Sequence, residues 1–274
     1  MTKALEFLKK QPLLTAVIAA VLADRAIQLP SYAYWDTFLM RLVLCVTMLF
    51  FLYLISGEKT LSQGNNQTGY VFKHLLGFLI FALVLGGIGA YSTVRDGIAV
   101  EGLPVRLIVL LLMFLFGCLF EELCYRAILN DAIVRQFRNT KGVFVISAVV
   151  TSLGFGAVHV IGTSVTTGTE FAQAVLKTLS SAVIGFAFLI LYWKTRNVWA
   201  VGLVHGLYDF LAAMAKVFLP GMSFDSEGYV LSGDVGYAGI ILYSIQLLVG
   251  VLLVLNIWKK VGKTIDFKAM RENW

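Results

Sequence analysis

The sequence predicts an all-α, polytopic membrane protein of about eight transmembrane helices around an intramembrane polar cavity. Three observations predict it. Of 274 residues, 59% are hydrophobic and only 14% charged, with a mean hydropathy of +0.83. A soluble domain carries about 25% charged residues. The charges that remain sit between long apolar runs, as they do in chains that cross a bilayer repeatedly. Within those runs lie three polar clusters: Glu121-Glu122-Leu123-Cys124-Tyr125-Arg126, Phe155-Gly156-Ala157-Val158-His159 and His205-Gly206-Leu207-Tyr208-Asp209.

Eight apolar segments are read, at 11–29, 36–56, 71–91, 104–128, 143–163, 172–193, 197–217 and 237–257. A helix of about 20 residues crosses the hydrocarbon at 1.5 Å per residue. Leu13–Ala23 follows a basic N-terminus and resembles a signal-peptide core. Asp24 and Arg25 come next, with no small-residue cleavage site, so an uncleaved first span is expected. There is no internal repeat, low-complexity tract or soluble domain. The chain 1–274 reads as a single integral membrane domain with its motif-bearing core at 104–217. Residues 129–141 read as an amphipathic surface helix, with Ile133, Val134 and Phe137 set against Asp131, Arg135 and Arg138.

Net charge is +6 and the isoelectric point about 9.2. No nucleic-acid-binding motif accompanies the basic residues, so orientation in the membrane explains them better. With an inside N-terminus, the inner side carries Lys3, Lys9, Lys10, Lys59, Lys73, Arg135, Arg138, Lys141, Lys194 and Arg196. The tail adds Lys259, Lys260, Lys263, Lys268 and Arg271, which makes fifteen of the 22 basic residues. Loop 164–171 has no Lys or Arg, and loop 218–236 has only the acids Asp225, Glu227 and Asp234. Both termini are expected in the cytoplasm. Cys45, Cys118 and Cys124 form no disulfide framework or CxxC pair and read as small apolar fillers. Cys124 is singled out because it lies in the first cluster.

Spacing organises the clusters into a site. Glu122 and Arg126 are four apart, so they share a helix face and neutralise each other. Glu121 points about 100° away, free to face a cavity as a general base working on water. Phe155 and His159 repeat the spacing, and so do His205 and Asp209. Asp209 can accept from His205 and fix its tautomer, or both can face a water or a metal. Gly202 and Gly206 flank His205 and permit close helix approach. Counted from Asn130, Glu121 lies ~14 Å into the membrane, and His205 counted from Asn197 lies ~12 Å in. His159 counted from Lys141 lies ~27 Å in, so the start of its span must protrude or tilt. His74, beside Lys73, reads as a solvated boundary residue, and Asp24, Arg25 and Arg41 as structural or interfacial charges.

Glu-Glu-x-x-x-Arg, Phe-x-x-x-His and His-x-x-x-Asn/Asp, in that order on successive apolar segments, resemble the CAAX protease and bacteriocin-processing family. This is the Abi family, which includes the type 2 CAAX prenyl proteases. The resemblance implies an all-helical intramembrane endopeptidase. In it, Glu121 and His159 would activate the attacking water. His205 and Asp209 would stabilise the oxyanion, and Glu122 and Arg126 would support the motif helix. Asp209 stands where the prenyl-protease branch has Asn. An ionised Asp cannot donate, so Asp209 must be protonated, orient His205 or bind a metal. Members are commonly called metalloproteases, and His159 and His205 with Glu121 or Asp209 would make a zinc site. The same residues also fit a glutamate-driven mechanism without bound metal. The expected substrates are membrane-associated peptides or proteins: a bacteriocin or pheromone precursor, or a lipidated C-terminus. A non-enzymatic bacteriocin immunity protein and a proton-coupled transporter are the competing readings.

Overall fold

In the computed structural model, the described residues are 3–27, 34–57, 62, 64–96, 101–218, 229–233 and 235–273. All regular structure among them is helical: α1 Lys3–Lys10, α2 Pro12–Ile27, α3 Tyr34–Ser56, α4 Thr68–Arg95, α5 Leu103–Glu122, α6 Asn130–Gln136, α7 Val143–Val158, α8 Gly168–Thr195, α9 Val198–Ala212, α10 Val235–Lys260 and α11 Phe267–Asn273. A π-helical stretch, Leu123–Leu129, joins α5 to α6. Helices are what an apolar chain must form in lipid, since they satisfy every backbone group internally.

Among the described residues, five helices are long and apolar enough to cross a membrane: Thr37–Ser56, Thr68–Arg95, Leu103–Gln136, Gly168–Thr195 and Val235–Thr264. The other expected spans appear as shorter apolar helices, Pro12–Ala23, Val143–Val158 and Val198–Ala212. Large apolar side chains stand exposed along the long helices, among them Ile80 and Val84 on α4, Ile108 on α5, and Ile241, Leu248 and Leu252 on α10. Together these make the chain a multi-pass membrane protein. The acidic residues read in loop 218–236, Asp225, Glu227 and Asp234, lie outside the described residues.

The chain divides into two compact units, Met1–Ile128 with Thr195–Phe224, and Leu129–Lys194 with Asp225–Trp274. In the first unit, α9 packs on α4 and α5, α3 packs on α5, and α2 packs on α3. Asn197 starts α9: its side-chain oxygen accepts from Ala200 N at 2.9 Å, which is N-capping. The same side chain donates to Gly64 O at 2.9 Å and Thr68 Oγ1 at 3.1 Å, pinning the start of α9 to the start of α4. Gly64 has φ of 73° and its α-carbon lies against the Thr195 carbonyl, so only glycine fits. α9 then runs close along α5. A Cβ at Gly202 would lie 3.1 Å from Leu119 Cα, and one at Gly206 would lie 2.8 Å from Leu115 Cα.

In the second unit, α6 packs on α7. Gly156 lets α7 approach α8 at Thr178 and Ala182, and Gly250 lets α10 approach α8 at Val183 and Ile184. A buried polar knot ties α6 to α7 and α8. Ser147 Oγ and Trp193 Nε1 donate to Asn130 Oδ1 at 2.7 and 2.9 Å. Asn130 Nδ2 and Tyr192 OH donate to Asp131 Oδ1 at 3.0 and 3.2 Å. This corrects the reading of 129–141 as a surface helix. The helix ends at Gln136, and Asp131, Ile133 and Val134 are all buried.

Candidate functional site

The first unit gathers five of the six singled-out residues. Glu121 and Glu122 end α5, Arg126 lies on the π-helical stretch, and His205 and Asp209 lie on α9. π-helical turns often occur at functional positions. Arg126 Nε lies 3.0 Å from Glu122 Oε2, with both side chains fully buried. A buried charge of either sign needs such a partner. The other Glu122 oxygen, Oε1, lies 2.9 Å from His205 Nδ1. A carboxylate paired to an arginine accepts, so Nδ1 donates and the tautomer is fixed. This corrects the expected partner. Glu122, 83 positions away on another helix, fixes the ring, and Asp209 instead lies on its other side.

His205 Nε2 then faces two further carboxylates. Glu121 Oε2 lies 3.9 Å from it and Asp209 Oδ2 3.8 Å. Those separations exceed a direct hydrogen bond. Exposure separates the roles. Glu122 and Arg126 are sealed at 0% and 1%, whereas Glu121 and Asp209 are 32% and 35% exposed. The accessible edge of the cluster is therefore Glu121, His205 Nε2 and Asp209.

Two residues that the sequence reading placed elsewhere belong to these surroundings. Cys118, read as a filler, donates to Asp209 Oδ2 with its sulfur at 3.3 Å. Arg41, read as structural or interfacial, crosses from α3 and donates to Met113 O at 3.0 Å. Its guanidinium occupies the space a side chain at Gly117 would take. A one-turn spacing scan would have linked Cys118 with Glu122, but its partner Asp209 is 91 positions away and only packing brings it near.

His159 lies in the second unit, where α7 ends. Its Nδ1 lies 2.7 Å from the Phe155 carbonyl, so Nδ1 donates and the tautomer is fixed. Phe155 meets the ring edge-on at 4.9 Å, as its four-residue spacing implies. Tyr229 lies 5.4 Å from the imidazole centroid, with Lys177 Nζ 4.1 Å over the tyrosine ring. Tyr243 OH donates to Tyr229 O at 2.7 Å, and Gln173 holds Leu231 from both sides.

The metal question can be put to the donor set. Cys118 Sγ, His205 Nε2 and an Asp209 oxygen all lie within 4.8 Å of one another. Tetrahedral zinc bonds of about 2.0–2.3 Å set donors ~3.3–3.8 Å apart, and Asp209 Oδ2 lies 3.3 Å from Cys118 Sγ and 3.8 Å from His205 Nε2. His205 also has the carboxylate behind its other nitrogen that metal-bound histidines usually have. The donors fit a zinc ion, with Cys118 in a set where the sequence reading had placed His159.

Residues 103–211 match the family model of the type II CAAX prenyl endopeptidases, described as Rce1-like. The match starts where α5 starts and ends within α9, and so contains all three motifs. The resemblance read from the motifs is borne out over this region: it is Rce1-like, and it points to a CAAX-type intramembrane protease. No curated protein and no solved structure matches the chain.

Proposed function

We propose that the protein is an intramembrane endopeptidase of the cytoplasmic membrane. It cuts peptide bonds of small membrane-associated substrates, either a lipidated C-terminus or a bacteriocin or pheromone precursor. The observation that carries the reading is the His205 ring, fixed by buried Glu122 on one side and open to Glu121 and Asp209 on the other. The family match favours this reading over immunity or transport.

In the proposed reaction Glu121 takes a proton from water, and the oxygen attacks the scissile carbonyl. A carboxylate in an apolar pocket suits that task. The tetrahedral oxyanion is stabilised by His205 Nε2–H, with the Glu122 carboxylate supporting the imidazolium through Nδ1. Asp209 steadies the same ring from its exposed side. Glu121 then returns the proton to the leaving amine as the C–N bond breaks. Arg126 pairs with Glu122 and holds it in place. His159 is proposed from its motif as a second group that activates water. In a metal-bound alternative, Cys118, His205 and Asp209 would hold a zinc ion that supplies Lewis-acid polarisation of the carbonyl in place of the His205 Nε2–H. Both termini are placed in the cytoplasm by the charge bias, and the three short apolar helices are assigned as spans that cross with the five long ones.

Peptide mass spectrometry of membranes and medium tests this, comparing wild type with Glu121→Ala and His205→Ala at matched expression. A product found only with the wild type gives substrate and bond together. Identical peptides from all three strains would remove the catalytic reading.

A further inference from the structure

The second unit contains an apolar cavity of about 790 Å³ with a basic end. Its walls come from α7, α8, α10 and α11, with Val145, Ala148, Phe186, Val254 and Phe267 among them. Lys268 and Arg271 line the same cavity. Arg271 also lines a smaller cavity of about 350 Å³ shared with Arg138, Asn139 and Glu272. An apolar volume and a polar volume therefore adjoin at one guanidinium, and that is the outline of an amphiphile.

Length and charge narrow the occupant. Along α7 the lining runs from Gly142 to Leu153. That is ~17 Å at 1.5 Å per residue. One leaflet of a bilayer core about 30 Å thick measures ~15 Å. Trp193 and Trp258 line the cavity toward its basic end and pack on Phe267, at 5.6 and 6.5 Å between ring centroids. Tryptophans at that level are typical of the headgroup boundary. Arg138, Lys268 and Arg271 against Glu272 leave a net positive charge where a headgroup would sit. Arginine forks match phosphate geometry, and basic pockets between membrane helices take anionic headgroups.

We propose that this cavity binds an anionic phospholipid, with one acyl chain along α7 and the phosphate at Arg271, Lys268 and Arg138. The site does not depend on the peptidase reading. It gives the second unit a lipid requirement of its own.

The test is photo-cross-linking of the full-length protein in phosphatidylcholine vesicles, using phosphatidylglycerol or phosphatidylcholine that carries a diazirine on one acyl chain. The expected result is labelling of peptides within 143–155 and 251–258, about tenfold or more stronger with the anionic probe, as two or three basic contacts imply. Lys268→Ala with Arg271→Ala, both on the short α11, should abolish the headgroup preference. Ala148→Phe, which fills the groove, should reduce labelling by either probe. Equal labelling by both probes, or labelling spread outside these peptides, overturns the proposal. Displacement of the anionic probe by a farnesylated peptide also overturns it and assigns the groove to substrate.

Discussion

Glu122 and His205 meet across two helices at 2.9 Å, and the same carboxylate holds Arg126 with its other oxygen at 3.0 Å. One buried side chain thus couples the charge balance of the motif helix to the orientation of an imidazole on α9. Removing it should have two separable consequences. Glu122→Ala leaves Arg126 as an uncompensated buried charge, a loss of about 3–5 kcal/mol. Chemical unfolding in detergent measures that. Glu122→Gln leaves Arg126 similarly unpaired but keeps an oxygen to accept from His205 Nδ1. It should therefore retain more activity than Glu122→Ala at comparable destabilisation. Equal activity in the two variants would mean that Glu122 does not position His205.

Glu121 should behave in the opposite way. It is 32% exposed, where Glu122 is sealed. Glu121→Gln is expected to lower kcat by about 10²–10⁴, the usual contribution of a general base. Its unfolding free energy should stay within about 0.5 kcal/mol of wild type. Turnover measured alongside unfolding separates it from its neighbour.

Close packing of α9 on α5 predicts a contrast among glycines. A Cβ at Gly206 would press on the Leu115 backbone, whereas one at Gly77 would meet nothing within 4 Å. Gly206→Ala should cost about 1–3 kcal/mol by overpacking, and it should also shift His205. Gly77→Ala, inside α4, should stabilise by about 0.4–1 kcal/mol. Thermal unfolding of the two variants in the same detergent gives the comparison.

These cases show what was legible in the sequence. The Glu122–Arg126 pair and the divergence of Glu121 follow from helix geometry alone, so spacing revealed them. The close approach at Gly202 and Gly206 was likewise marked by small residues one turn apart. Long-range partners were not legible. Asp209 is four residues from His205, so it looked like its partner, yet Glu122 is 83 positions away and forms the hydrogen bond. Asp131 looked solvated beside Arg135, but Tyr192, 61 positions on, covers it. Apolar composition located five helices long enough to cross a membrane and three shorter apolar ones. It did not show that the helices starting at Val143 and Val198 would end after 16 and 15 residues.

The thiol contact bears on metal dependence. In the metal-free arrangement Cys118 is a thiol that donates to Asp209, whereas a zinc ion would need it as a thiolate. The glutamate-driven reaction is then expected to survive dialysis against a chelator, and Cys118→Ser should keep most of the activity. If chelation and Cys118→Ser each abolished turnover, with zinc addition restoring only the wild type, the donor set would be a metal centre.

The most direct measurement is cleavage by the purified protein in vesicles of a farnesylated peptide ending in a CAAX sequence, run in parallel with Glu121→Gln and His205→Ala. The account predicts release of the C-terminal fragment by the wild type, in ¹⁸O-water with the label in the new carboxylate, and at least ~10²-fold slower release by either variant. Cleavage by Glu121→Gln at the wild-type rate would contradict it.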